Sequence, residues 1–231
     1  MRTYRHIFFD LDHTLWDFES NSKSTLHDIF DKYYLQLPGV PSYEAFEKQY
    51  HIHNDFYWEE FHHSRITRDE LRRIRFVKTL EDFNIVNEEL ALHLAEVYLN
   101  ILPTKTALID EAHDVLIYLK TKYDLHIITN GFDEIQHKKL HHSRLDKYFH
   151  HIITSELSGS KKPNKEIFKY AFHTTGATVL DSIFIGDSIE ADIKGAKNAG
   201  MDHVFFNPKK TKHTETVMYE IADLRELKKI L

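Results

Sequence analysis

The segment Ile7-Phe8-Phe9-Asp10-Leu11-Asp12-His13-Thr14-Leu15 passes from three bulky apolar residues directly into two acids. A short, unbroken apolar run of this kind is the pattern of a strand buried on both faces, as strands of parallel sheets are. The strand is therefore expected to end at Asp10, with Asp12 in the turn beyond it. Four similar runs follow: Leu125 to Thr129, Ile152 to Thr154, Ile183 to Ile185 and Val204 to Phe206. Apolar stripes at helical spacing lie between them, among them Val115, Leu116 and Leu119, and Ile167, Phe168, Ala171 and Phe172. Strands alternating with helices through short connections predict an α/β fold, a doubly wound, Rossmann-like parallel sheet covered on both faces.

Residues 16–100 break that alternation. Leu26, Ile29, Phe30, Tyr33, Tyr34 and Leu37 fit one helix, and Tyr43, Phe46, Tyr50, Tyr57 and Phe61 a second. Thr67 with Glu70 reads as a capping box opening a third, which carries Leu71, Ile74, Val77 and Leu80. Leu90, Leu94, Val97, Tyr98 and Ile101 form a fourth, and Pro103 marks the return to the sheet. The expected organisation is a core of residues 1–15 and 101–231 with an inserted helical cap, 16–100. An insertion that leaves the chain just after the first strand hangs over the carboxyl ends of the strands, where open α/β sheets bind ligands.

Composition narrows the function classes. The 231 residues carry a formal net charge of −6, which argues against a nucleic-acid polymer or an anionic membrane surface as partner. The absence of cysteine excludes disulfides, thiol catalysis and thiolate metal sites. With no run of ~18 apolar residues and no apolar leader, the expected location is the cytoplasm. Eighteen histidines include the doublets His62-His63, His141-His142 and His150-His151. Adjacent side chains diverge on helix and strand alike, so most are expected to be surface or structural residues.

The acids at strand ends are the chemical candidates. Asp10 and Asp12 behind a buried strand would repel one another unless a cation stands between them, and Mg²⁺, a hard ion that prefers oxygen ligands, suits the position. A second acidic set, Gly186-Asp187-Ser188-Ile189-Glu190-Ala191-Asp192, follows the apolar run ending at Ile185, with Asp192 about one helical turn beyond Asp187. Between them, Thr129-Asn130-Gly131 ends a strand with groups able to donate to phosphate oxygens. Lys161-Lys162-Pro163 places a lysine where it could offset clustered negative charge. No dinucleotide fingerprint and no P-loop is present.

The ordered set, Asp10-x-Asp12-x-Thr14, Thr129, Lys162 before Pro163, and Gly186-Asp187 through Asp192, resembles the four motifs of the haloacid dehalogenase superfamily with a helical cap inserted after the first. The resemblance implies that Asp10 is a nucleophile forming an aspartyl-phosphate, Asp12 the acid and base, and Lys162 the charge-stabilising cation. It further implies that Thr129, Asn130 and Gly131 hold the phosphoryl group. Mg²⁺ would be held by the Asp10 carboxylate, the Asp12 carbonyl and Asp187, with Asp192 orienting that set. The stretches Ile128-Thr129-Asn130-Gly131-Phe132 and Lys162 to Phe168 look like the branch of pyrimidine nucleoside 5′-monophosphate phosphatases. On that likeness the cap residues Tyr57, Trp58, Phe61 and Arg65 would meet the base. The expected partner is thus a small phosphorylated metabolite, and the expected assembly a monomer or homodimer. The competing readings are a 2-haloacid dehalogenase or a phosphomutase of the same superfamily, and a receiver-like or catalytically silent phosphate-binding protein. Asp12 favours phosphate chemistry, because dehalogenation needs no acid two residues past the nucleophile.

Overall fold

A computed structural model describes residues 3–231. In chain order its elements are β1 (His6–Phe9), α1 (Phe18–Tyr33), α2 (Tyr43–His62), α3 (Arg68–Glu81), α4 (Glu88–Ile101), α5 (Ala112–Lys120), β2 (Asp124–Thr129) and α6 (Asp133–His142). They continue with β3 (His151–Thr154), α7 (Ser155–Ser158), α8 (Lys165–Thr175), β4 (Ser182–Gly186), α9 (Lys194–Asn198), β5 (Asp202–Phe206), β6 (Tyr219–Ile221) and α10 (Leu227–Ile230). The six strands form one sheet in the order β3-β2-β1-β4-β5-β6, and every neighbouring pair is parallel. This is the doubly wound arrangement, with β1 at the centre where the strand order reverses, the place at which such sheets hold ligands.

Two compact units result, one of residues 1–18 and 106–231, the other of 19–105. The division falls a few residues later than the expected 16 and 101, for local reasons. Trp16, fully buried, bridges to Asp12 and Leu108 and so stays with the sheet. Lys105 bonds Asp28 of α1 at 2.6 Å and so stays with the helices. Helices α2, α3 and α4 supply most of the second unit, and the Thr67 and Glu70 side chains make both halves of the predicted capping box. The first helix ends at Tyr33, and a 3₁₀ turn carries the chain on to Leu37. No helix among the described residues is long and apolar enough to cross a membrane.

One face of the sheet is closed by α8 and α9: Ile167, Phe168, Ala171 and Ala196 pack on Phe8, Ile128, Ile153 and Phe184. At the amino ends of the strands, the same face carries a histidine stack instead of hydrocarbon. His6 lies 3.2 Å from His126 between Nδ1 and Nε2, and the His126 ring stands 5.4 Å from that of His151. Burial, together with the neighbouring His6, His151 and His150, pushes His126 down to about 3. Between pH 6.5 and about 3 the unfolded chain would bind a proton that the folded chain excludes, so this residue makes stability fall as pH falls through that window. In urea unfolding, His126→Leu is expected to flatten the acid limb by about 2 kcal/mol between pH 6.5 and 4.5. Identical acid limbs in parent and variant would remove His126 as its source.

Candidate active site

The turn that follows β1 is wound tightly on itself. Leu15 and Trp16 both donate backbone N–H to the Leu11 carbonyl, at 3.0 and 2.9 Å, and His13 takes a left-handed φ of 64°. This compact turn places Asp10, Asp12 and Thr14 at the carboxyl end of the central strand. Thr14, fully buried, donates through Oγ1 to Asp187 Oδ1 at 3.1 Å, tying the first motif to the end of β4.

Beyond β4 the chain makes a π-helical turn, Ile189–Ile193, before α9. The N–H groups of Asp192 and Ile193 both reach the Ser188 carbonyl, at 2.9 and 3.1 Å, and the widened turn swings Asp192 back over the strand end. Gly186 makes that return possible: a Cβ there would stand 2.4 Å from Asp192 Oδ2. Asp192 is then fixed through both oxygens, Oδ2 accepting from Ser188 N at 2.9 Å and Oδ1 from Lys162 Nζ at 2.7 Å.

Lys162, 2% exposed, is the centre of charge. Its three N–H donors go to Asp10 Oδ1 at 2.6 Å, Asp192 Oδ1 at 2.7 Å and the Ile128 carbonyl at 2.9 Å. Burial alone would lower its pKa, but Asp10 and Asp192 outweigh that and hold it raised. With all three donors engaged, the Lys162 ammonium has no N–H left for a further partner.

The carboxylates of Asp10, Asp187 and Asp192 lie close enough to share a cation, with ligand atoms within 4.8 Å of one another. One ammonium faces three acids, and the surplus shows in their ionisation. Burial, partly countered by Lys162, pushes Asp10 up to about 7. Burial, then Asp192 and Asp10, raises Asp187 well above the usual carboxylate range. An oxygen-only set, buried at Asp10 and Asp192 and half-buried at Asp187, with uncompensated negative charge fits a hard divalent ion. Asp12 contributes no carboxylate to this set, so only its carbonyl remains for the metal role the sequence suggested.

The Asp12 carboxylate instead meets α6. Oδ1 accepts from Lys139 Nζ at 2.6 Å and Oδ2 from Gln136 Nε2 at 2.9 Å. Burial would raise its pKa, yet Lys139 and then the Gln136 bond hold it below the ordinary value. Gln136 also donates to Thr129 Oγ1 at 2.7 Å, and the Gly131 N–H reaches the same oxygen at 3.1 Å. Both acceptor positions of the Thr129 hydroxyl are thereby filled, leaving its proton to be donated. Asn130 behaves differently from expectation. Its side chain is spent on the Lys162 backbone, Nδ2 to the carbonyl at 3.0 Å and Oδ1 from the N–H at 2.8 Å. It is a clasp for the lysine loop rather than a side-chain phosphate donor. The lack of a Cβ at Gly131 likewise serves packing, since a Cβ would stand 2.3 Å from Gln136 Nε2.

Tyr57, Trp58, Phe61 and Arg65 belong to the other unit, on the last turns of α2 and the loop after it. Trp58 and Phe61 meet edge to face at 5.7 Å, and the exposed Arg65 grips Glu60 through Nε and Nη2. Lys139 and Gln136 were not among the residues the sequence singled out. The run Asp133-Glu134-Ile135-Gln136-His137-Lys138-Lys139 reads as a solvated helix with little apolar periodicity. The one available signal was their spacing of three, which puts both on a single face.

A parallel sheet with three carboxylates, a buried lysine and a hydroxyl donor gathered at the carboxyl ends of its central strands has the layout of a hydrolase core of the α/β class. The chain belongs to the haloacid dehalogenase-like hydrolase family, whose model matches residues 4–200. It is 34% identical over 234 residues to the HAD-hydrolase YfnB of Bacillus subtilis, spanning 100% of this chain and 97% of that one. It is 32% identical to the pyrimidine 5′-nucleotidase PynA of Streptococcus pneumoniae, over 97% of this chain and 93% of PynA. The pyrimidine 5′-nucleotidase YjjG of Escherichia coli is 29% identical over 97% of this chain and 96% of its own length. Among solved structures, magnesium-bound YfnB superposes with a TM-score of 0.90 at 33% identity over 99% of each chain.

Proposed function

We propose that this hydrolase is a magnesium-dependent phosphatase acting on pyrimidine nucleoside 5′-monophosphates. The observation that carries the reading is the Asp10 carboxylate held 2.6 Å from the buried Lys162 ammonium at the end of the central strand. In-line attack by an Asp10 oxygen on phosphorus would form an acyl phosphate and expel the leaving oxygen, dividing one difficult hydrolysis into two displacements. Asp12 would exchange a proton, first with the leaving oxygen and then with the attacking water. The Thr129 hydroxyl and adjacent N–H groups would donate to the transferring oxygens, while Lys162 holds the nucleophile in place. Mg²⁺, held by Asp10, Asp187 and the Asp12 carbonyl with Asp192 orienting them, would supply the positive charge that lets a phosphate approach these acids.

The substrate class rests on the likeness to PynA and YjjG along nearly the whole chain. Tyr57, Trp58 and Phe61 offer flat, half-buried rings of the kind that stack on a base. A phosphate-release panel of UMP, dUMP, dTMP, sugar phosphates and 2-haloacids, run with Mg²⁺ and with chelator, tests both parts. The expected result is a preference for the pyrimidine nucleotides of at least about tenfold in kcat/KM, lost on chelation. Preference for sugar phosphates would overturn the nucleotidase assignment and leave the phosphatase standing. Halide release without phosphate release would overturn both.

A further inference from the structure

The reading of Asp12 as proton carrier leaves open what aims it. A carboxylate on a turn rotates freely about its last bond, and one hydrogen bond does not stop that rotation. We propose that Lys139 and Gln136, one helical face of α6, are positioning residues that fix the Asp12 carboxylate for proton transfer at the leaving oxygen. The proposal rests on the phosphatase reading above. Each residue takes a different oxygen, Lys139 at 2.6 Å from Oδ1 and Gln136 at 2.9 Å from Oδ2, so the plane of the group is set. Each oxygen keeps a second lone pair for the proton that moves.

Both residues are held more firmly than a surface pair would be. The Lys139 side chain is 4% exposed. Its ammonium stands 4.5 Å from the Trp16 ring centre and 5.7 Å from that of Phe18. Aromatic faces attract the cation and exclude water from it. Gln136 is fully buried, and its amide nitrogen bridges Asp12 to the Thr129 hydroxyl 2.7 Å away. A single amide thus sets the spacing between the proton carrier and a phosphate donor. Gly131 is the opening through which that side chain passes. A buried ion pair adds little to net stability compared with hydrocarbon of equal size, so stability alone is a poor reason for a lysine here.

The balance of the reaction states what misaiming would cost. In the first displacement an Asp10 oxygen bonds to phosphorus, the bond from phosphorus to the leaving oxygen breaks, and that oxygen receives a proton that Asp12, ionised in the free enzyme, takes up from solvent as the anionic substrate binds beside it. In the second, a water oxygen bonds to phosphorus, the Asp10 oxygen leaves, and the water proton returns to Asp12. An alkoxide leaving group needs that first proton, whereas p-nitrophenolate departs without it. kcat/KM covers events up to departure of the leaving group and separates the two cases.

The test measures kcat/KM for p-nitrophenyl phosphate and for whichever alkyl phosphate the parent hydrolyses fastest. It compares the parent with Lys139→Met, one atom shorter and uncharged, and Gln136→Met, which keeps the length of its side chain, with urea unfolding run alongside. The expected result is an alkyl-phosphate loss of about 100-fold in Lys139→Met and about tenfold in Gln136→Met, with p-nitrophenyl phosphate changed only a few-fold. Equal losses on both substrates, in a variant whose unfolding midpoint matches the parent, would overturn the proposal, as would an unchanged alkyl rate. If Lys139→Met does not fold, the Gln136→Met ratio decides alone. A parent that releases phosphate from neither substrate would instead refute the phosphatase reading, a result distinguishable from the others because it needs no variant.

Discussion

Asp10→Asn is expected to lower phosphate release by about 10⁴-fold or more while leaving the fold intact. The amide keeps the shape of the side chain and can still pair with Lys162, but it is a poor nucleophile and a weak ligand for a hard cation. Stability should move the other way from activity. Burial pushes Asp10 up to about 7 in the metal-free protein, so between pH 3.8 and 7 the folded state holds a proton that the unfolded state has lost. Stability therefore falls as pH rises through that window, and above it the ionised Asp10 is a net cost. Removing the charge is expected to make the variant at least as stable as the parent at pH 7.5 in chelator, and to reduce the rise in unfolding midpoint on adding Mg²⁺. Urea unfolding with and without the ion, beside a phosphate-release assay, measures all three. Activity within tenfold of the parent would place the nucleophile elsewhere.

Lys162→Met should be the most damaging single change in the core, because it attacks stability and activity together. It leaves the buried Asp10 and Asp192 and the half-buried Asp187 with no counter-charge, and strands the Ile128 carbonyl that Nζ also satisfies. Breaking a buried pair from one side costs about 3–5 kcal/mol. The cost is expected to grow with pH, since the orphaned carboxylates escape it by taking up protons in acid and cannot do so in alkali. Unfolding at pH 5.5 and 8 reads that dependence directly. In the folded fraction, phosphate release should fall by about 10³-fold, as the nucleophile loses the group that aims it. A loss below about 1 kcal/mol at pH 8 would mean that the acids relax apart without the lysine, contrary to the tight Asp10 and Asp192 contacts.

Much of the fold was legible because β1 to β5 each carry a short run of bulky apolar residues. Ile7 to Phe9 and Ile183 to Ile185 have no polar alternative, and the acids that follow them mark where the strands end. β6 escaped notice for the opposite reason: Tyr219–Ile221 sits at the edge of the sheet, with Tyr219 and Glu220 exposed, so it needs no apolar pattern. Helix α6 was equally opaque, since Ile135 and Leu140 are its only apolar residues and share its buried side with Gln136 and Lys139, so it shows no stripe. The same absence of pattern hid Lys139 and Gln136, and it made the histidines look alike although His6, His126 and His203 are buried.

The motif order by itself determined the class of the site: Asp10, Asp12, Thr129, Asp187 and Asp192 are placed at strand ends or in the turns just beyond them, and Lys162 in the loop before α8, where local pattern controls position. Only the tertiary structure decided how those groups divide their partners. It joined Lys162 to Asp10 and Asp192, turned Asp12 toward Lys139 and Gln136, and withdrew the Asn130 side chain to clasp the lysine loop. The physical reason is that a hydrogen bond between residues 30 to 152 positions apart depends on sheet order and on the space a glycine leaves, and neither is written in the identity of the residues that use them.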